Sequence, residues 1–379
     1  MSKLNVSKRK NELGQFYTTN FEYILSNMKL PNYVNTIIEP FTGQGDLLKF
    51  VKDIDKYNLE IYDIDPKYPN TIKRDTLTDP PDYTDKFVLT NPPYLARNKN
   101  KNKDLYKKYD CNDLYKCFIV SIITNICQGG IIIIPLNFLC SIRKNDIQLR
   151  KMFLEKYSID IINIFEEQVF DDTSYTVCSI LFHKQIEIDK ENKLKTGINS
   201  SGPQNNELSS AKIFFYPSKK NITINLNSEN NYTFGGEIYN VPQNPEYKIE
   251  RATKQTKNSL KITNILLKCI DDNIDNQLGF KIVSDENRFI DNTFSLSARS
   301  YATIVINKSL TLEKQQDLVN KMNDYIKEQR KKYNSLFLTN YRESNSIARK
   351  RISFDLAFKI CNYILSDIEK CDSTLQAPK

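Results

Sequence analysis

The sequence has few of the residue types that many enzymes use for proton transfer, redox chemistry or metal binding. Its 379 residues include one histidine, His183. This residue ends a predicted strand, where we expect a surface or packing role rather than acid–base catalysis. The eight cysteines form no Cys-x-x-Cys pair, so neither a zinc site nor a redox dithiol is indicated. We therefore expect no metal.

Long apolar runs are also scarce. The first ten residues, MSKLNVSKRK, contain no apolar signal core, and the run Ile131–Ile134 is too short to span a bilayer. Apolar residues still make up 40% of the chain, enough for substantial cores, and 379 residues predict two domains. The formal charge of +8 suits a polyanionic partner. We expect an intracellular protein that does not contact membranes.

The tetrapeptide Asn91-Pro92-Pro93-Tyr94 is the most informative motif. It follows Phe87–Leu89, a short apolar run that predicts a buried strand. Two prolines cannot continue a central strand, so the chain must leave the sheet there. An amide, a carbonyl and an aromatic ring are thereby placed on a stiff loop at the carboxyl end of a strand, where open α/β sheets bind ligands. These groups suit the binding of a planar primary amine and stacking on the ring that bears it.

Acidic residues end three further predicted strands. Glu39 precedes the turn Gly43-Gln44-Gly45, which predicts close backbone approach to a ligand and a helix over about 44–51. Asp63 follows about twenty residues later, as nucleoside-binding α/β units require, and is placed to take two ribose hydroxyls. Asp75 comes next along the same edge and can accept a hydrogen bond from an adenine amino group. Each acid alone could be a turn or helix cap, but three successive strand tips predict a nucleoside site.

These motifs resemble those of amino-group DNA methyltransferases, specifically the adenine-N6 enzymes that use S-adenosylmethionine and release S-adenosylhomocysteine. The similarity covers roughly residues 13–185. It is most specific at 91–94 and extends to 39–45, Asp63 and Asp75. Residues 13–19 match the segment that covers the cofactor in this family, and 113–118, 129–135 and 169–182 follow the later motif order. The resemblance implies a Rossmann-like α/β domain, with a doubly wound and mostly parallel sheet, and a C-terminal α+β target-recognition domain.

The resemblance also assigns roles to residues. It implies catalysis by Asn91, Pro92, Pro93 and Tyr94, and stacking of an extruded adenine on Tyr94 and Phe170. The residues expected to contact the cofactor are Phe16, Tyr17, Thr18, Glu39, Pro40, Phe41, Thr42, Gly43, Gly45, Asp63, Ile64, Asp75 and Asn91. An adenine amine is a weak nucleophile, and two acceptors, the Asn91 oxygen and the Pro92 carbonyl, would favour a pyramidal nitrogen aimed at the methyl group. Because the target lies inside a duplex, the base must be flipped out.

The chain beyond residue 185 is less informative. A polar stretch predicts a linker or surface loop over 186–211, between a catalytic domain at 1–185 and a DNA-recognition domain at 212–379. Strands are predicted at 212–216, 221–226 and 301–307, followed by two amphipathic helices. Charge placement nominates seven DNA-binding residues: Arg97, Lys99, Lys101, Arg342, Arg349, Lys350 and Arg351. No known DNA-reading module is visible, so recognition by this half rests on the resemblance and on charge.

The function that follows is site-specific methylation of adenine N6 in duplex DNA, as the modification part of a restriction-modification system or as an orphan or viral enzyme. A cognate restriction endonuclease could act on the same site without a stable complex. Alternatives that use the same tetrapeptide are a methyltransferase for protein glutamine side chains and a ribosomal-RNA adenine methylase. A DNA-binding protein with a retired catalytic site is an alternative of another class.

Overall fold

The computed structural model describes residues 18–170, 176–185, 210–256, 259–271, 277–291, 300–338, 340–344 and 347–375, with backbone alone at 340–344, 347–349 and 371–375. The chain divides into two compact units. The first comprises the residues up to Phe138 together with Arg143–Asn227, and the second comprises Leu139–Ile142 with the residues from Ser228 onward.

Nine strands of the first unit form a single sheet. They are β1 Thr36–Glu39, β2 Asn58–Asp63, β3 Ile72–Lys73, β4 Phe87–Thr90, β5 Gly129–Pro135, β6 Tyr157–Phe165, β7 Val177–Lys184, β8 Ser210–Tyr216 and β9 Asn221–Asn225. Their order is β3-β2-β1-β4-β5-β7-β6-β8-β9. Helices α1 Phe21–Ile24, α2 Asp104–Lys108, α3 Leu114–Thr124, α4 Asn137–Cys140 and α5 Lys144–Lys156 connect or precede them.

The strand directions follow from the burial pattern. Every residue of β4 and β5 is buried, as expected for strands covered on both faces, and β3, β2, β1, β4 and β5 are all parallel. Strand β7 inserts antiparallel between β5 and β6. The predicted fold class, a Rossmann-like and mostly parallel α/β sheet, is confirmed.

Two details of this unit differ from the sequence-based predictions. The helix predicted over about 44–51 is reduced to a short 3₁₀ helix at Leu47–Phe50. The strands predicted at 212–216 and 221–226 exist, but they are β8 and β9 of the large sheet: β8 runs parallel to β6 and pairs with β9. The two units therefore separate between Asn227 and Ser228. Of the predicted linker, residues 186–209 lie outside the described residues.

The second unit combines antiparallel sheets with two long helices. Its strands are β10 Ile249–Arg251, β11 Lys261–Lys268, β12 Ile270–Asp271, β13 Gly279–Ile282, β14 Tyr301–Ile306, β15 Asn340–Ser344 and β16 Ile347–Arg351, and its helices are α6 Leu312–Tyr333 and α7 Phe354–Leu375. The sheet orders are β10-β14-β11-β13 and β12-β16-β15. Helix α6 packs on β11, β13 and α7, so this part is α+β.

A buried ion pair joins a helix to the smaller sheet of the second unit. Arg330 in the last turn of α6 makes two 2.8 Å hydrogen bonds to the carboxylate of Asp271 in β12. Such a two-pronged contact fixes both direction and register. In the part of the chain that the structure describes, no helix is long and apolar enough to cross a membrane.

Candidate active site

The predicted site residues gather at one edge of the large sheet. Strands β1, β2, β3 and β4 are parallel neighbours, so their carboxyl ends lie along the same edge. Glu39 and Asp63 end β1 and β2, Asp75 follows β3, and Asn91 follows β4. This edge is where open α/β sheets bind ligands.

The glycine turn is attached to β2 by hydrogen bonds. Gly43 and Gly45 have φ angles of +55° and +77°, in the left-handed region that favours glycine. The Gly43 N–H donates to Asp63 Oδ2 at 2.8 Å, and the Asp65 N–H donates to Asp63 Oδ1 at 2.7 Å. Asp63 is buried, and its two hydrogen bonds shape the turn. The sequence did not reveal this structural role. Its contact with ribose hydroxyls stays a prediction.

Two other carboxylates at this edge have buried oxygens that accept no hydrogen bond within the described residues, namely Glu39 Oε2 and Asp46 Oδ2. Glu39 is only 1% exposed. Burial, reinforced by the neighbouring carboxylates of Asp63 and Asp46, holds the pKa of Glu39 well above its usual range. Buried polar atoms without partners are costly, and these two call for a cation or a donor. S-adenosylmethionine carries both a sulfonium and an ammonium, so these residues fit the cofactor that the resemblance implies.

The residues that follow β2 and β3 differ in how available their side chains are to a ligand. Ile64 is 44% exposed, an apolar surface at the place where an adenine face is expected. Asp75 accepts hydrogen bonds from the N–H groups of Leu77 and Thr78 at 3.2 and 3.4 Å and from the Thr78 hydroxyl at 2.5 Å. Asp75 thus caps a turn, and its contact with an adenine amino group stays a prediction.

The Asn91 amide is contacted at both ends. Its Nδ2 donates to the Thr18 hydroxyl at 3.1 Å, and the Tyr94 hydroxyl lies 2.5 Å from its Oδ1 and 2.7 Å from the carbonyl oxygen of Ile133. Tyr94 is 2% exposed, and burial raises the pKa of its phenol well above the usual range. The ring that was predicted to stack on a base is therefore covered in this structure.

The loop after the tetrapeptide is held against the start of α3. The Leu95 N–H donates to Asp113 Oδ1 at 3.0 Å, and the Tyr106 hydroxyl donates to the Leu95 carbonyl at 2.9 Å. The Arg97 N–H donates to the Asn112 carbonyl, also at 2.9 Å. Burial raises the pKa of Asp113 to about 6, although Lys116 and several backbone N–H groups act in the opposite direction. Asp113 is thus a buried acid that holds the chain after the tetrapeptide against the start of α3.

The remaining nominated residues are scattered. Phe16 and Tyr17 lie outside the described residues, and Phe170 is buried. Arg97, Lys99 and Lys101 are exposed, as a phosphate contact requires. The segments with Arg342 and Arg349–Arg351 form the hairpin β15–β16, in which Arg342 pairs with Arg349 and Tyr341 with Lys350. Only the backbone of Arg342 and Arg349 is described. Arg351 is partly buried, with its guanidinium 5.2 Å from the Phe354 ring centroid.

Sequence reasoning did not single out Asp46 or Asp113. Asp113 stands directly before an apolar helical stretch, which is the signal for a helix cap. Asp46 follows the second glycine of the turn, where an acid would lie close to a bound ligand. Among the residues that the structure describes, no cluster of three His, Cys, Asp or Glu side chains could hold a metal ion.

Comparisons with known proteins identify the family of the chain. A family model described as N-6 DNA Methylase matches residues 42–233, half of the chain. No curated protein matches. Solved structures similar to this chain include a type I methyltransferase subunit from Streptococcus thermophilus, at 15% identity and a TM-score of 0.37, with 59% of this chain and 53% of that one covered. The M protein of the type I restriction enzyme EcoKI matches at 14% identity and a TM-score of 0.36, with 98% and 76% covered.

A modification subunit of a type I restriction enzyme from Vibrio vulnificus YJ016 matches at 13% identity and a TM-score of 0.36, with 56% of this chain and 50% of that one covered. The chain thus spans about half the length of the Vibrio and Streptococcus proteins. Similarities at this level are too low to transfer a function.

Proposed function

The chain belongs to the N-6 DNA methylase family, and from that premise we propose that it methylates adenine N6 at specific sites in duplex DNA, with S-adenosylmethionine as methyl donor. The observation that carries the proposal is the placement of the Asn91 amide on the same sheet edge as Glu39 Oε2 and Asp46 Oδ2, which have no hydrogen-bond partner among the described residues. The other oxygen of Asp46 pairs with Lys49 at 2.8 Å. An acceptor for an amine thereby shares this edge with acceptors for a cation.

The cofactor supplies an activated methyl group on its sulfonium. The protein contributes binding and orientation. Glu39 and Asp46 would attract the cationic groups, the glycine turn would let the ligand approach the backbone, and Ile64 would cover the adenine ring. Asp63 keeps the turn in shape through Gly43, and each of its oxygens has a second lone pair that can accept from a hydroxyl group.

The target amine would be held by acceptors. Asn91 Oδ1 has two lone pairs, so it can accept from the Tyr94 hydroxyl and from an N–H of the base together. The Pro92 carbonyl would take the other N–H. Two fixed acceptors orient the nitrogen without a group of tuned pKa. Both rings are buried in this structure. Stacking of the base on Tyr94 and Phe170 therefore requires these rings to become exposed when DNA binds.

The partner of this site would be double-stranded DNA, with the second unit reading the target sequence. A restriction endonuclease that cuts the same site without a stable complex would complete a modification system. An orphan or viral methylase would act alone. The exposed Arg97, Lys99 and Lys101, which follow the catalytic loop, would contact phosphates.

Labelled methyl transfer to duplex DNA, RNA and protein, measured in parallel, tests this function. We expect label in DNA, recovered as N6-methyladenine. Asn91→Ala should lower the rate on the order of 100-fold or more, since it removes an acceptor aimed at the reacting amine, while affinity for S-adenosylhomocysteine and DNA is retained. Label in RNA or in a glutamine side chain with none in DNA would refute the proposal, as would normal turnover by Asn91→Ala.

A further inference from the structure

A carboxamide has two ends of nearly equal shape but opposite hydrogen-bonding character. Only the oxygen of Asn91 can accept a hydrogen bond from a substrate amine, and a flip of the amide would present two N–H donors to it instead. The orientation is set by whichever groups contact the two ends. Catalysis by Asn91 therefore depends on the neighbours that hold its amide in place.

The structure shows a hydroxyl group at each end of the Asn91 amide. Asn91 Nδ2 donates to the Thr18 hydroxyl at 3.1 Å, and Thr18 is 3% exposed, so water competes little for this bond. At the other end the Tyr94 hydroxyl is 2.5 Å from Oδ1. Tyr94 also contacts the carbonyl of Ile133 in β5, which ties this hydroxyl to the sheet.

The two contacts differ in what they fix. Thr18 precedes α1, whereas Asn91 and Tyr94 both belong to the loop after β4. The Tyr94 hydroxyl also contacts the Ile133 carbonyl, so its contact sets the amide relative to the loop and to β5. Thr18 ties the amide to a segment 73 residues away in the chain. This contact therefore sets the amide relative to the segment that precedes α1.

We propose that Thr18 is a positioning residue, whose hydroxyl holds the Asn91 amide in place for its contact with the target amine. The inference rests on the proposed function and replaces the expectation that Thr18 contacts the cofactor. A positioning role and a cofactor contact predict different results for the same variant.

The test compares Thr18→Val, which keeps the shape and loses the acceptor, with Thr18→Ser, which keeps the acceptor. Under saturating DNA and cofactor, Thr18→Val should slow single-turnover methyl transfer at least about tenfold, because small misplacements of reacting groups are costly. Its calorimetric affinity for S-adenosylhomocysteine should stay within about twofold of the wild type. Thr18→Ser should restore the rate to within about threefold of the wild type.

Two controls separate this role from general damage. Thr263→Val removes another buried threonine hydroxyl, one that donates to the Ile304 carbonyl at 2.8 Å in the second unit, and should leave the rate unchanged. In an Asn91→Ala background, Thr18→Val should cause no further loss, because the two residues act through one hydrogen bond. Weaker cofactor affinity with an unchanged saturated rate would overturn the proposal, as would a fully active Thr18→Val.

A measurement without catalysis tests the contact between Thr18 and Asn91 directly. The side-chain amide signal of Asn91, identified by its loss in Asn91→Ala, should show one N–H proton that is shifted downfield and exchanges slowly. This feature should persist in Thr18→Ser and vanish in Thr18→Val; an unchanged signal in Thr18→Val would overturn the inference. If the wild type methylates neither DNA, RNA nor protein, the proposed function fails, and this comparison still decides whether Thr18 holds the amide.

Discussion

Glu39 and Asp63 are both buried acids at strand ends, yet their surroundings differ. Asp63 accepts backbone N–H bonds on both oxygens, while one oxygen of Glu39 has no partner among the described residues. A satisfied carboxylate stabilises the turn that it contacts, whereas an unsatisfied one destabilises the free protein and favours a bound cation. Of these two acids, Glu39 is therefore the one whose unsatisfied oxygen a bound cation would stabilise.

Glu39→Gln should change stability and cofactor affinity in opposite directions. The raised pKa of Glu39 means that its contribution to stability is fully present below about pH 4.5 and is lost as pH rises through the folded-state pKa. The glutamine variant lacks this loss, so its free energy of unfolding in urea should fall less than that of the wild type between pH 5 and pH 8. Its affinity for cationic S-adenosylmethionine should fall, because the negative charge is gone.

Asp53→Asn is a suitable control for this comparison, because Asp53 is an exposed acid of the same unit whose carboxylate pairs with Lys56. It should alter neither cofactor affinity nor the pH dependence seen for Glu39. An equal fall in stability with pH for the wild type and Glu39→Gln would show that Glu39 is not the buried charge that matters.

The sequence predicted which residues meet at the sheet edge, because the carboxyl ends of parallel strands share an edge. It did not predict the hydrogen-bond partners of their polar groups. The bonds from Gly43 to Asp63 and from Asn91 to Thr18 join residues 20 and 73 positions apart, and only the folded chain defines those distances. The burial of Tyr94 likewise depends on β5, whose Ile133 carbonyl contacts its hydroxyl.

The start of α3 holds the loop that follows β4, because Asp113 accepts a hydrogen bond from the Leu95 N–H. Asp113→Ala should lower the free energy of unfolding at pH 5 by about 1 kcal/mol, because it leaves the Leu95 N–H without its buried acceptor. Asp113→Asn keeps an acceptor without a charge. The folded-state pKa of about 6 lies above the ordinary value of 3.8, so the stability that Asp113 contributes declines as pH rises through 6. We expect Asp113→Asn to exceed the wild type in stability at pH 8, with a smaller difference at pH 5.

Asp104→Ala provides the matched comparison for Asp113→Ala. Asp104 lies in the first turn of α2, and its contact with Lys107 at 3.7 Å is exposed, so its removal should cost less than about 0.5 kcal/mol. Urea unfolding at the two pH values measures all three variants. A stability of Asp113→Asn that tracks the wild type at both pH values would contradict the assigned burial of the charge.

Elements with strong periodicity were predicted well, and those shaped by special backbone angles were not. The apolar runs of β4 and β5 and the amphipathic α6 and α7 were visible in the sequence. The predicted helix at 44–51 failed because Gly43 and Gly45 occupy the left-handed region and Val51 is extended, which leaves room for one 3₁₀ turn. The hairpin β15–β16 was missed because Arg342, Glu343 and Lys350 interrupt any apolar alternation.

Strands β8 and β9 belong to the large sheet and decide where the first unit ends. Strand β8 runs beside β6 and buries Ile213 and Phe215, so a chain ending at Gln185 would lose core residues and expose the edge of β6. We expect a chain ending at Asn227 to unfold cooperatively in urea and to bind S-adenosylhomocysteine, and one ending at Gln185 to aggregate. Cofactor binding by the shorter chain would show that β8 and β9 are dispensable. The division into catalytic and recognition domains stays a prediction, with Asn227 as its structural boundary.

Recognition of DNA by the second unit can be tested on the hairpin β15–β16. The guanidinium of Arg351 packs on Phe354, so Arg351 is kept, and Arg349 and Lys350 are replaced by alanine. If both side chains bind phosphates, affinity should fall equally for cognate and non-cognate duplexes, and the slope of log affinity against log salt should shrink by about 0.9 for each phosphate that is no longer neutralised.

The double variant Lys52→Ala/Lys56→Ala removes the same charge from exposed positions before β2, at the opposite edge of the sheet from Asn91, and should leave the slope unchanged. Fluorescence anisotropy over a salt series measures both. A wild-type slope for the hairpin variant would exclude these side chains from the interface and would direct the search to Arg97, Lys99 and Lys101, where the same salt analysis applies.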